Sequence, residues 1–167
     1  MFRDEEELRN KVMDWLRKQG FRVAKGIHLG SMELDIVAVA PLRISKEGVV
    51  RDSGGQYLYT FEAKIATTPK LMLDLVEQAI TRLLLSDYVL IVMPSKAEVW
   101  VNGKAKEAVE PPQIIKRYAS RVYSRKIGIL SVDLDGEVEI VRAPQKSGLT
   151  QEEFKEKVLR HFRLKEI

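Results

Sequence analysis

The stretch "DYVLIVM" at 87–93 restricts the fold more than any other part of this chain. After Asp87 every residue is apolar. A strand with water on one side alternates polar and apolar side chains, whereas an unbroken apolar run marks a strand covered on both faces. A sheet lying between layers of helix is therefore expected, which is an α/β arrangement.

The flanking segments fit that layering. Residues 4–19 place Leu8, Val12, Trp15, Leu16 and Gln19 three and four apart, which predicts a helix with one inward stripe. Asp4 to Glu7 favour its N-terminus, and Gly20 stops it. Strands are expected at 21–27, 32–40 and 57–65, with "HLGS" (28–31) as a turn and 41–56 as a polar connection able to form a small hairpin. Thr68 and Pro69 open a helix expected to reach about Leu85. A short strand is read at 97–101, with Trp100 packing in the core or on a partner. A further helix is read at 113–126, and strands around the Asp135-Gly136 turn close the sheet. Thr150 and Glu153 form a capping box before a charged C-terminal helix. The reading is one domain over 1–167, with a helix-strand-strand-strand-helix-strand core over about 4–101. The C-terminal extension over about 102–167 is helix-strand-strand-helix.

Composition bounds the chemistry. With 167 residues, 45% of them hydrophobic and 31% charged, the chain suits one globular core. No apolar run approaches the ~20 residues that span a bilayer, and "MFRDEEELRN" is no leader, so no membrane partner and a cytoplasmic location are expected. Cysteine is absent and there are two histidines, which leaves oxygen ligands for any metal. The net charge of +4 hints at a nucleic-acid partner. Plentiful Lys, Arg, Glu, Ile and Val with scarce Asn resembles a thermophile's composition.

The chemistry-bearing feature is "YTFEAKIAT" at 59–67. Tyr59, Phe61, Ala63 and Ile65 alternate on one face, leaving Thr60, Glu62 and Lys64 on the other. By the same parity, "MELDIVAVA" puts Glu33 and Asp35 together. If the two strands pair antiparallel, Asp35 sits beside Glu62, with Lys64 adjacent. Two such carboxylates repel unless a cation lies between them. Mg²⁺ (or Mn²⁺) is the natural occupant, held by Asp35, Glu62 and the Ala63 carbonyl. That ensemble, with Lys64 beside the attacking water, suits phosphodiester hydrolysis. The bland alternative is a solvated ion pair on a sheet face.

Asp35 followed by Glu62-Ala63-Lys64, in this order of elements, resembles the PD-(D/E)xK nuclease superfamily, whose fold is the restriction-endonuclease-like one. "GSMELDIVA" after a strand is similar to archaeal Holliday-junction resolvases and Mrr-type nucleases, with Leu34 where that family often has proline. The resemblance implies a Mg²⁺-dependent DNA endonuclease in repair, recombination or defence, with RNA not excluded. It casts Asp35 and Glu62 as metal ligands and Lys64 as the catalytic lysine. It adds Ser31 as a phosphate contact, Glu5 of the first helix near the metal in preference to Glu6 and Glu7, Gln78 facing the site, and a homodimer. A catalytically inactive nucleic-acid-binding or scaffolding protein of the same fold is the alternative. His28, in the expected turn, can touch phosphate or be an ordinary loop histidine. Arg117, Arg121 and Arg125 recur every four residues on the expected 113–126 helix, as a nucleic-acid stripe or a solvated face.

Overall fold

The computed structural model describes residues 1–101, 103 and 105–166; the side chain of Trp100 lies outside what is described. In chain order the elements are α1 (Glu5–Gln19), β1 (Arg22–Leu29), β2 (Met32–Ala40), β3 (Leu42–Ser45), β4 (Gly48–Arg51), β5 (Tyr57–Ala63), α2 (Pro69–Arg82), β6 (Tyr88–Pro94), β7 (Ala97–Val101), β8 (Ala105–Val109), α3 (Pro111–Ile115), β9 (Gly128–Val132), β10 (Val138–Arg142) and α4 (Glu152–Lys165). A six-stranded mixed sheet in the order β1-β2-β5-β6-β9-β10 runs through the centre. β1, β2 and β5 pair antiparallel, β5, β6 and β9 parallel, and β10 returns antiparallel. Hairpins β3-β4 and β7-β8 stand apart from it.

The apolar run does lie between two covered faces. Leu90 and Val92 of β6 join a core with Leu8, Val12 and Leu16 of α1. Val89, Ile91 and Met93 pack on Met72, Leu75 and Ala79 of α2 and Ile115 of α3. Val158 and Phe162 of α4 cover Ala24, Val37 and Val39. Each fully buried side chain of this size stabilises the fold by roughly 1.5–3 kcal/mol, so α1 is held chiefly by its inward stripe. Its ends follow the sequence: Asp4 Oδ1 accepts from the Glu7 amide at 2.9 Å, and Gly20 closes the helix at φ +107°.

α4 is pinned differently from the expected capping box. The Thr150 hydroxyl donates to the Ser86 carbonyl at 2.7 Å, and Gln151 caps without a side-chain bond. Lys155 instead reaches buried Asp87 at 3.0 Å, whose carboxylate also accepts from the Leu58 amide. A tertiary acceptor outcompetes the local cap because it satisfies a carbonyl near the core.

The largest departure concerns 113–126. The α-helix is only Pro111–Ile115, followed by turns and a 3-10 segment at Ser124–Lys126. The Arg142 guanidinium takes the carbonyls of Ala119, Ser124 and Ile127 at 2.7–3.0 Å, and Ser124 Oγ accepts from the Arg121 amide. Those bonds replace the helical ladder, so Arg117, Arg121 and Arg125 share no helix face. Val122, on the same stretch, is 62% exposed. Smaller corrections are that β5 ends at Ala63 rather than 65, α2 at Arg82 rather than Leu85, and His28 lies within β1, opposite Glu33.

Among the described residues, Thr60 Oγ1 is the buried side-chain atom without a hydrogen-bond partner. It sits in mid-β5 between Val37 and Val89. An unpaired buried hydroxyl costs about 1–3 kcal/mol. Thr60→Val, which keeps the branched shape, is expected to raise stability by about 1 kcal/mol, seen as a higher urea midpoint. A midpoint that stays or drops would mean the hydroxyl is solvated or needed.

Candidate functional site

The site lies where β2 and β5 run past each other toward α2. Their antiparallel register pairs Ile36 with Phe61, so Asp35 faces Glu62 at the next step. The parity argument holds: Asp35, Glu62 and Lys64 line one cleft of about 650 Å³. β5 stops here because Asp35 Oδ2 accepts from the Ala63 amide at 3.1 Å, a side chain standing in for the ladder. The Lys64 amide meanwhile donates to Val92, which keeps the strand end on β6.

Glu62 is nearly sealed, with its side chain 4% exposed. Arg82, at the last turn of α2 and 7% exposed, donates from Nε to Glu62 Oε1 at 2.7 Å. Its Nη2 donates to the Glu33 carbonyl at 3.0 Å, and its Nη1 to Thr81 Oγ1 at 2.9 Å. The guanidinium thus ties α2 to β5 and β2 at once. Burial pushes the Glu62 carboxyl up to about 7, and the neighbouring Asp35 carboxylate adds to this; Arg82 opposes both without cancelling them. Two neighbouring carboxyl groups, one of them raised despite its paired arginine, are a donor set suited to a hard cation.

Lys64 is half-exposed, and Glu5 Oε2 stands 3.6 Å from its Nζ. Of the first-helix acids, Glu5 is the one turned to Lys64; Glu6 pairs with Lys25 and Arg9, and Glu7 with Arg3. Ser31 and Gln78 line the cleft from the β1-β2 turn and α2. Neither His28 nor Arg117, Arg121 and Arg125 line it; all four are exposed elsewhere.

Among the described residues no three His, Cys, Asp or Glu side chains group closely enough to hold an ion by themselves. A cation at Asp35 and Glu62 would complete its shell with the Ala63 carbonyl, water and substrate oxygens, as Mg²⁺ commonly does. The cleft's own charge matters as well. Glu33, Asp35, Glu62, Asp74 and Glu77 face only Lys64 and Arg82. An anionic substrate enters such a cleft poorly unless a cation offsets the excess.

Arg82 escaped the sequence reading. Its signal was there: it falls on the stripe of Met72, Leu75, Val76 and Ala79, where a cation is out of place unless a carboxylate waits opposite. No helix of the described residues is long and apolar enough to cross a membrane. Comparison of the chain with family models, with curated proteins and with solved structures finds no match.

Proposed function

We propose that this protein is a Mg²⁺- or Mn²⁺-dependent nuclease of the restriction-endonuclease-like fold, hydrolysing DNA phosphodiesters. The observation that carries the reading is the convergence of Asp35, Glu62 and Lys64 from neighbouring strands into one open cleft. In this reading Asp35, Glu62 and the Ala63 carbonyl hold the ion. When bound it supplies charge stabilisation on a phosphoryl oxygen and a more acidic water. Lys64 brings a positive charge to the attacking water and the phosphate. Glu5, 3.6 Å away, orients that ammonium. Arg82 locks one Glu62 oxygen, and the other is the one that would ligate. Ser31 and Gln78, which line the cleft, are the phosphate contacts in this reading.

The Glu62–Arg82 pair favours a second reading, in which Glu62 is a structural counter-ion and the protein binds nucleic acid without cutting it. A cleavage assay with Mg²⁺ or Mn²⁺ on single-stranded, duplex and branched DNA separates the two. Cutting that stops on chelation and in Glu62→Ala and Lys64→Ala variants is expected. If the parent chain binds these DNAs and leaves them whole, the second reading stands.

A further inference from the structure

A second pocket of about 360 Å³ opens beside the carboxylate cleft. Met32 and Thr81 line both, so the two adjoin. Its character is different. Leu29, Leu84, Leu85 and Phe154 make its walls apolar, and Lys157 is the charged residue at its edge. Phe154, in the first turn of α4, is 39% exposed, and Leu84 is 42% exposed. The Lys157 ammonium lies 5.9 Å from the centre of the Phe154 ring.

We propose that this pocket receives an unpaired nucleobase of the strand whose phosphate lies in the carboxylate cleft. The proposal rests on the nuclease reading and gives it a substrate class: DNA with an unpaired or extruded base at the cleavage position. An aromatic ring with a cation over one of its faces suits a π-system that carries a phosphate. The volume lies at the small end of the range for ligand pockets, roughly 300–1,000 Å³. The shared Met32 and Thr81 walls put the two spaces side by side, within reach of one strand. A base stacked and paired within a duplex cannot enter a recess of this kind, so a base must leave the stack. Perfect duplex therefore forgoes this contact.

The experiment is fluorescence anisotropy on a perfect duplex, the same duplex with one bulged 2-aminopurine, and one with an abasic bulge, each with Mg²⁺ and with chelator. The bulged duplex is expected to bind roughly tenfold tighter than the other two, with quenching of the 2-aminopurine as it stacks. Phe154→Ala should erase both the preference and the quenching, and Phe154→Tyr should retain them. A preference unchanged in Phe154→Ala, or equal binding of all three DNAs, overturns the pocket assignment and leaves the nuclease reading intact. If the parent chain binds none of them and cuts no DNA, the nuclease reading fails and the assignment with it. Melting curves of both variants check that α4 stays docked.

Discussion

Lys64→Ala is expected to slow Mg²⁺-supported DNA cleavage by roughly 10²- to 10⁴-fold, the usual contribution of a positioned proton-handling or charge-supplying group. Its effect on folding should be small, within about 0.5 kcal/mol. The asymmetry follows from the surroundings. The Lys64 side chain is 44% exposed and its ion-pair partner is Glu5 at 3.6 Å, an exposed contact that adds little to stability. Its backbone amide, bonded to Val92, is untouched by the substitution. A lysine kept for folding would show the opposite pattern. Full cleavage by Lys64→Ala, or loss of cleavage together with a lowered melting temperature, would remove Lys64 from the reaction.

Arg82→Met should do the reverse and unsettle the fold, lowering the unfolding free energy by about 3–5 kcal/mol near neutral pH. The loss strands the Glu62 carboxylate in a site with almost no water. Glu62 then escapes by taking up a proton, and the direction with pH follows. Its folded-state carboxyl already lies above the ordinary 4.5, and removing Arg82, which lowers it, sends it higher than about 7. A raised carboxyl makes the folded state bind more protons than the unfolded one, so stability falls as pH rises between the two values. The deficit should therefore be larger at about pH 8 than at about pH 5 in metal-free urea titrations. Equal deficits at both would show that Glu62 does not sense the arginine. The double variant Arg82→Met with Glu62→Met should recover most of the loss, since apolar replacement of a buried pair is often neutral or better. That recovered variant has no Glu62 carboxylate, so it should fold well and fail to cut DNA.

The two results test different links of one chain of causes. Lys64 is half-exposed at the cleft, where a reacting group belongs. Arg82 is buried and multiply bonded, which fits a residue that positions Glu62 without touching substrate. Together they leave Glu62 poised between a protein cation on one side and the open cleft on the other.

Much of this was legible before any coordinates. Strand parity alone put Asp35 on the face shared by Glu62 and Lys64, because side chains alternate whatever the tertiary fold. The bounds of β2, the Thr68-Pro69 start of α2 and the Asp4–Gly20 limits of α1 were equally local, set by cap and turn residues within a few positions. The failures share a cause as well. Residues 113–126 carry helical spacing, yet Arg142 from β10 takes their carbonyls. Thr150 carries a capping signature, yet Ser86 claims its hydroxyl.

The chain by itself determined which side chains share a strand face, where α1 and α2 begin, and that a sheet must be covered on both sides. Only the tertiary structure decided that Arg82 meets Glu62, that an apolar pocket adjoins the carboxylates, and that the arginines of 117–125 part company. Periodicity and capping act over a few residues of backbone. Partner choice for a buried charge or carbonyl is settled by segments tens of residues away, which sequence spacing does not encode.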